Sequence, residues 1–239
     1  MTPGDFKWKH FAPEIILWCL RWYGSTPMSY ANVSDMLAER GISVHRSTIY
    51  RWFIEYAPIL CQKLRRYQFT HVDSSWQLDE TYIKVNGKWF YLYRAINKHG
   101  TTLDFYFSAK RNKNAAYQFL KRVLKPYPVE RQPKILNTDK HSSYGYAITR
   151  LMKEGKQRQV KYLNNRIESD HAPIKKLVKA AGGFKRPNRA WSTLQGFETL
   201  RRLNKSQFDI WLRRDEPEYR VRERSAFMNR LFNIETVLA

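Results

Sequence analysis

The sequence is poor in cysteine, in acidic residues and in long apolar runs, and each shortage excludes a class of protein. Its two cysteines, Cys19 and Cys61, allow at most one disulfide and lack metal-ligand spacing, which excludes zinc fingers and disulfide-rich scaffolds. The most apolar run, residues 15–20, is too short to span a bilayer. The segment before it lacks the apolar region and cleavage site of a signal peptide. We therefore expect a soluble protein of a reducing cytoplasm, with no membrane partner.

The shortage of acids leaves a large positive excess. Against 21 Asp and Glu stand 43 Lys and Arg, a formal net charge of +22. Such an excess destabilises a compact chain by self-repulsion unless a polyanion screens it. Nucleic acid is the first candidate partner; an anionic membrane surface would also suit this charge but is not the partner that we expect. Hydrophobic residues make up 43% of the 239 positions, enough to bury a core, so disorder is excluded as the main state.

For residues 1–70, the sequence predicts an all-α helix-turn-helix domain that ends in a basic linker. A helix begins at Pro13, a second is capped by Ser29 and stopped by Gly41, and a third covers 45–56. A helix, a turn and a basic helix in this order are typical of DNA-binding proteins. An ordinary helical hairpin with solvated arginines is the alternative. The candidate DNA contacts on the third helix are Arg46, Tyr50 and Arg51.

Residues 71–205 predict a mixed α/β core. The runs 76–85, 88–96 and 101–108 alternate like strands, and Asn86-Gly87 between the first two is a hairpin signal. Three antiparallel strands followed by helix, strand, helix, strand and helix is the element order of a ribonuclease-H-like fold. The later elements are predicted at 134–138 (strand), 146–153 (helix), 159–162 (extended), 165–181 (helix) and 188–203 (helix). The rest, 206–239, forms a C-terminal tail without net charge, in which Phe227, Leu231 and Ile234 could form one helical face for packing or self-association.

Three acids stand where they could converge in such a core. Asp79 lies inside a strand that we predict to be central, Asp139 ends the short strand, and Glu168 opens the long helix. Carboxylates from different elements could hold two Mg²⁺ ions about 4 Å apart for phosphodiester chemistry. Each acid also has a plainer interpretation. Asp79 could be a solvated strand residue, Asp139 a helix cap, and Glu168 a favourable charge at the positive end of its helix dipole. Glu80 is expected on the opposite sheet face from Asp79.

The helix that carries Glu168 favours the functional interpretation. Its apolar face comprises Ile167, His171, Ile174, Val178 and Ala181. Lys175 follows Glu168 by nearly two turns and shares the neighbouring face. No acid occurs between Asp170 and Glu198. A stretch with cations and no acid is better explained by contact with DNA than by a face that is merely solvated. The cations in it are Lys175, Lys176, Lys179, Lys185, Arg186 and Arg189.

Several segments together resemble a known family. They are STIYRW (47–52), LDETYIKV (78–85), WFYLYRA (89–95), NTDK (137–140) and KYLNNRIESDH (161–171). In this order, over residues 11–203, they are similar to the DDE transposases of the insertion-sequence-six family.

The resemblance implies a helix-turn-helix that binds terminal inverted repeats and a ribonuclease-H-like catalytic core. The family's three acids fall on Asp79, Asp139 and Glu168, and its following basic residue falls on Lys175. It further implies that the protein uses Mg²⁺, for which Mn²⁺ can substitute, and that its partner is the double-stranded DNA of the element ends and the target. The protein is then expected to act on DNA as a homodimer or larger assembly and to form cointegrates by replicative transposition. Its expected location is the bacterial cytoplasm, in association with the nucleoid.

One departure from the family leaves two outcomes open. Only 28 residues separate Asp139 from Glu168, fewer than is usual, and the shortening lies between Gly155 and Val160. Either a surface loop shortens without moving the acids, or the next strand loses its register and Glu168 misses the metal. The second outcome predicts a DNA-binding protein without catalysis that represses related transposases. A free-standing ribonuclease H would have no need of the N-terminal domain.

Overall fold

A computed structural model describes residues 4–68, 73–139, 143–210 and 217–234 of the chain. The helices are α1 (Pro13–Ser25), α2 (Tyr30–Ala38), α3 (Arg46–Leu64), α4 (Lys113–Leu124), α5 (Ser143–Leu151), α6 (Lys161–Ala180), α7 (Pro187–Asn204) and α8 (Pro217–Leu231). The strands are β1 (Ser75–Val85), β2 (Lys88–Asn97), β3 (Thr102–Ser108), β4 (Ile135–Asn137) and β5 (Lys156–Arg158). Within these ranges, no helix combines the length and the apolar character needed to cross a bilayer.

The five strands form one mixed sheet in the order β3-β2-β1-β4-β5. β1, β2 and β3 pair antiparallel, whereas β4 pairs parallel with β1 and β5 pairs parallel with β4. This is the strand order of the ribonuclease-H-like fold, so the predicted fold class is confirmed. β1 lies in the middle of the sheet, as the sequence predicted.

A tight turn fixes the register of the central hairpin. Asn86 and Gly87 both have positive φ, 46° and 78°, which suits a two-residue turn joining twisted strands. From this turn β1 and β2 pair without interruption, from Val85 opposite Lys88 to Trp76 opposite Asn97. Because register decides which side chains share a face, the turn also decides which acids face which helices.

The two sheet faces carry different layers. The face that includes Trp76 and Leu78 packs against α4 and α5 in a core with Phe119, Leu120 and Tyr144. The opposite face is occupied by α6. Since side chains alternate along β1, Asp79 faces α6 and Glu80 faces the α4–α5 side.

The structure corrects two predicted elements, one strand and one helix. The extended segment predicted at 159–162 is wrong: the strand is Lys156–Arg158, and residues 161–162 already belong to α6. The third N-terminal helix extends to Leu64 rather than ending at Tyr56, with Pro58 inside it. Its buried face continues through Leu60 and Leu64, so much of the predicted basic linker is helical.

The chain divides into two compact units whose segments alternate along the sequence. The first holds α1–α3, α7 and α8, and the second holds the sheet, α4, α5, α6 as far as Val178, and residues 183–187. Asn204 at the end of α7 donates to the Ser25 hydroxyl (2.9 Å), and the Phe227 ring of α8 packs against Tyr67. By packing, α7 therefore belongs with the N-terminal helices, although the sequence places it in the predicted 71–205 core.

A close approach between α3 and α7 depends on a glycine. A Cβ at Gly196 would lie 2.5 Å from the Phe53 ring and 2.8 Å from Ala57 Cβ. We expect Gly196→Ala to lower the free energy of unfolding by about 1–2 kcal/mol, because overpacking of about 1–3 kcal/mol outweighs the gain of about 1 kcal/mol in helix propensity. Urea denaturation measures this. Gly145→Ala on α5 is the control, since its Cβ would meet only the side-chain oxygen of Gln157, at 3.2 Å, and an equal loss there would contradict the packing argument.

Candidate active site

Three carboxylates converge where β1 and β4 lie side by side. Asp79, Glu80 and Asp139 each offer an oxygen, and these oxygens all lie within 4.8 Å of one another. The structure therefore brings together two of the three predicted acids, Asp79 and Asp139, from strands far apart in sequence. Glu80 was not among the predicted site residues. Clustered carboxylate oxygens are the donor set that hard divalent cations prefer, so these residues fit Mg²⁺ or Mn²⁺.

Asp79 is held in a partly desolvated position on the central strand. Its side chain is 15% exposed, and its Oδ1 accepts a hydrogen bond from the Glu80 backbone N–H (2.8 Å). The pKa of Asp79 is raised to about 7, mainly by burial and additionally by the charges of Glu80, Asp139 and Glu168, against the lowering effect of that hydrogen bond. A carboxyl group with such a pKa responds strongly to any cation placed beside it.

Asp139 follows β4 at a corner that β5 supports. The Thr138 backbone N–H donates to the Arg158 carbonyl (3.1 Å), and Gln157 donates to the Thr138 hydroxyl (2.8 Å). Gln159 donates to the Asp139 backbone carbonyl (3.3 Å). The connection shortened relative to the family thus leads into a strand that pairs in parallel register and supports the corner. β5 thus keeps its register with β4, whereas Glu168 lies outside the group of acids within 4.8 Å, so which of the two outcomes applies stays a prediction.

Arg111 supplies a positive charge inside the carboxylate group. Its Nη2 donates to Glu80 Oε2 (3.1 Å) and to Asp139 Oδ2 (2.6 Å). Burial by itself would lower the pKa of Arg111, but the charges of Glu80 and Asp139 outweigh it and raise this pKa above its ordinary value. The sequence offers no local signal for this role, because Arg111 lies in a basic stretch outside the strands.

Glu80 lies on the other face of β1 from Asp79, as alternation predicts, yet it belongs to the same carboxylate group. Its side chain is fully buried beside Arg111 and Tyr144, and this burial raises the pKa of its carboxyl. Burial and the nearby Glu80 charge likewise raise the pKa of Tyr144 well above its ordinary value. The buried acid thus adds negative charge behind Asp139.

A buried ion pair fixes α6 on the sheet. Arg94 lies directly opposite Asp79 on β2 and is fully buried. Its Nη2 donates to Asp170 Oδ2 (2.8 Å) and its Nη1 to the Asp170 backbone carbonyl (3.1 Å). A guanidinium and a carboxylate without solvent must stay paired, because an isolated buried charge is costly. The pair therefore determines which residues of α6 lie over Asp79.

His171 lies beside Asp79, and Glu168 lies about one turn earlier on the same helix. The buried His171 ring places Nδ1 3.8 Å from Asp79 Oδ2. Glu168 is exposed, lies outside the group of three within 4.8 Å, and is close enough for its charge to raise the pKa of Asp79. The predicted apolar face is buried at Ile167, His171 and Ile174. His171 thus contacts the site region, although the sequence indicated only packing.

The predicted DNA contacts are on the surface. Tyr50 is 37% exposed, with its ring edge against Tyr30, and Arg51 Nε donates to the Ser47 carbonyl (3.2 Å). Their role in binding DNA stays a prediction. The other exposed members are Arg46, Lys175, Lys176, Lys179, Lys185 and Arg186.

The chain is similar in sequence to several known proteins. A family model described as a DDE domain matches residues 73–207. The transposase for insertion sequence-like element IS431mec of Staphylococcus aureus is 39% identical over 205 residues, covering 84% of this chain and 88% of that protein. The uncharacterized protein pYV0051 of Yersinia pseudotuberculosis is 87% identical over 93 residues, covering 39% of this chain and 87% of that protein. Among solved structures, the HTLV-2 integrase catalytic core domain in complex with magnesium is 12% identical, covers 64% of this chain and 97% of its own, and has a TM-score of 0.41, too low to bear on function.

The fold and the carboxylate group thus define a DDE-domain protein with a ribonuclease-H-like core. The chain belongs to the DDE transposases of the insertion-sequence-six family. Membership in this family supports DNA transposition by a polynucleotidyl transferase as the protein's activity.

The buried pair generates a stability prediction. Asp170→Asn should lower the free energy of unfolding by about 3–5 kcal/mol, because it leaves the Arg94 charge buried without a counter-charge. The partly exposed pair of Arg122 and Asp104 (2.7 Å) is the matched control, where Asp104→Asn should cost about 1 kcal/mol or less. Urea denaturation of both variants tests this, and equal losses would show that burial of the Arg94 pair is not decisive.

The raised pKa of Asp79 generates a pH prediction for the protein in EDTA. Between pH 4 and pH 7 the folded state keeps the Asp79 proton and the unfolded state releases it, so this group's contribution to stability falls as pH rises. The fall is at most about 1.4 kcal/mol per pH unit. Asp79→Asn lacks the titration, so its stability relative to wild type should increase from pH 5 to pH 8 in thermal or urea unfolding. A pH-independent difference would mean that Asp79 has an ordinary pKa.

Proposed function

We propose that the protein is a Mg²⁺-dependent DNA transposase that binds the terminal inverted repeats of an insertion sequence and cleaves and joins DNA strands. The observation that carries this proposal is the approach within 4.8 Å of carboxylate oxygens from Asp79 and Asp139. They come from two neighbouring strands in a chain of the DDE transposase family. Arg111 offsets the charges of Glu80 and Asp139, but a further carboxylate beside them at Asp79 is unfavourable without an additional cation.

The carboxylates are proposed to hold two divalent ions. Asp79 and Asp139 are the main ligands and Glu168 completes the set, with Mn²⁺ able to replace Mg²⁺. When bound, such ions stabilise the charge that develops on the attacking and leaving oxygens of an in-line displacement. Arg94 and Asp170 hold α6 on the sheet with Glu168 within electrostatic reach of Asp79, and Arg111 keeps the carboxylate of Asp139 in position.

The reaction consists of two displacements at phosphorus. In the first, a water oxygen bonds to the phosphorus at the element end and the bond to the 3′ oxygen breaks, which frees a 3′-hydroxyl. In the second, that hydroxyl attacks a target phosphodiester, and the target strand's own 3′ oxygen leaves. Each step exchanges one P–O bond for another, so neither needs a covalent link between protein and DNA.

The exposed cations are proposed to hold the DNA. Lys175 follows Glu168 on α6 and is suited to bind a phosphate near the carboxylates, while Arg46, Tyr50 and Arg51 on α3 bind the inverted repeat. Two element ends must be handled together, so we expect a homodimer or larger assembly on DNA and a cointegrate product. Other proposed phosphate contacts are Lys176, Lys179, Lys185 and Arg186.

A single substitution separates binding from chemistry. Asp79→Asn should reduce Mg²⁺-dependent cleavage and strand transfer to background, because it removes a proposed metal ligand, and it should leave affinity for the element end unchanged. Gel-based cleavage and fluorescence anisotropy on the element's own ends measure the two properties. Asp104→Asn is the control, since it removes a carboxylate that pairs with Arg122 instead.

Strand transfer retained by Asp79→Asn would refute the assignment of Asp79. Wild-type protein that binds the ends but cleaves neither in Mg²⁺ nor in Mn²⁺ would instead identify a DNA-binding protein without catalysis, which fits the repressor alternative.

A further inference from the structure

Beyond the carboxylates, the sheet face that carries Glu80 continues into a group of aromatic rings. We name this group the aromatic strip; it consists of the exposed Tyr82 and Trp89 and the partly buried Tyr91. Tyr82 and Trp89 are 49% and 55% exposed. The Tyr82 ring makes edge contacts with both partners, with centroid distances of 5.3 Å to Tyr91 and 5.9 Å to Trp89. Closer to the core on the same face, Tyr93 is fully buried under the helices.

The aromatic strip is bordered by cations at both ends. Lys84 lies over the Trp89 ring (5.8 Å to the centroid), and Arg111 lies over the Tyr82 ring (5.8 Å). The Asn86 backbone N–H donates to the Phe184 carbonyl (2.8 Å), so the exposed Lys185 and Arg186 follow directly beyond the end of β1. Exposed aromatic rings flanked by cations are the combination that binds single-stranded nucleic acid.

One side chain joins the aromatic strip to the proposed metal ligands. Arg111 Nη1 donates to the Tyr82 hydroxyl (3.1 Å), while its Nη2 donates to Asp139 Oδ2 (2.6 Å). Only the guanidinium of Arg111 therefore separates a nucleotide stacked on Tyr82 from the carboxylate of Asp139. In an intact duplex the base faces are covered by neighbouring bases, so only unpaired bases can stack on these rings.

We propose that Tyr82, Trp89 and Tyr91 form a stacking platform for unpaired DNA bases next to the phosphodiester that is cut. This inference rests on the proposed function, because it takes the carboxylates as the place of cleavage. The bound species is single-stranded DNA, its bases on the rings and its phosphates on Lys84 and the cations beyond β1.

The test compares two DNA probes in EDTA, where cleavage cannot interfere. Full-length protein is titrated into a labelled oligothymidylate of about ten nucleotides, a length suited to single-strand grooves, and into the duplex of the element end. Trp89→Ala should weaken single-strand affinity by about tenfold to a hundredfold, the loss expected for removing base stacking. Duplex affinity should not change, and Trp89→Phe, which keeps a ring, should retain most of the single-strand affinity.

A matched tyrosine controls for the loss of any exposed ring. Tyr146 on α5 is 46% exposed and has Arg150 over its ring at 5.8 Å, much as Tyr82 has Arg111. Tyr82→Ala should weaken single-strand binding and Tyr146→Ala should not. Equal effects of the two substitutions, or equal losses on single strand and duplex, would overturn the inference.

A measurement on the wild-type protein makes the test independent of variant folding. Photocrosslinking with 5-iodouracil in the oligothymidylate should attach DNA to Tyr82, Trp89 or Tyr91, as mapped by mass spectrometry. Crosslinks confined to other residues would overturn the proposal. So would a change in oligomeric state on sedimentation of Trp89→Ala without loss of single-strand affinity, since this would show that another protein copy covers the strip.

Cleavage of the element end in Mg²⁺ is measured on the same wild-type preparation. If the wild-type protein cleaves the element end but Trp89→Ala binds single-stranded DNA normally, only the stacking platform is refuted and the proposed function stands. Absent cleavage together with reduced binding by Trp89→Ala refutes the proposed function and leaves a single-strand binding surface.

Discussion

The buried pair of Arg94 and Asp170 is the constraint on which the arrangement of the candidate site depends. A guanidinium sealed from water in the middle of the sheet can be tolerated only with a counter-charge at hydrogen-bonding distance. Asp170 supplies it with both its carboxylate and its backbone carbonyl, which fixes the position and the rotation of α6. Because Arg94 is the cross-strand neighbour of Asp79, the same contact places His171 beside Asp79 and Glu168 within electrostatic reach of it.

The site concentrates negative charge within a protein that is otherwise strongly positive. Asp79, Glu80 and Asp139 meet in a chain whose net charge is +22. DNA is attracted to the basic surface, yet its phosphates are repelled by unscreened carboxylates. Arg111 offsets part of this repulsion from within the group. A divalent ion would offset more of it, so under the proposed function the binding of metal and the approach of a DNA phosphate would favour each other.

Local patterns predicted the parts of the fold that local physics determines. The hairpin at Asn86 and Gly87, the alternation along β1 and the Ser29 cap of α2 all follow from neighbouring residues, and the structure contains each of them. Asp79 and Asp139 could be selected because one was expected on a central strand and the other at the end of a parallel one.

Contacts between residues distant in sequence could not be predicted in this way. Arg94 and Asp170 are 76 positions apart, and only the packed structure reveals the pairing. Alternation correctly placed Glu80 on the opposite face from Asp79. It gave no sign that the corner after β4 brings Asp139 close to both of them, or that Arg111 reaches that corner. The membership of α7 in the N-terminal unit is equally non-local, because it depends on contacts such as that of Asn204 with Ser25.

The interleaving of the two units along the chain has a consequence for gene fragments. The N-terminal helices are completed by α7 and α8, which are encoded after the whole sheet. A premature stop codon within the sheet therefore removes α7 and α8, whose side chains pack against α1 and α3, and does not release an intact DNA-binding module. Truncated gene copies should thus yield unfolded polypeptides rather than competitors for the element's ends.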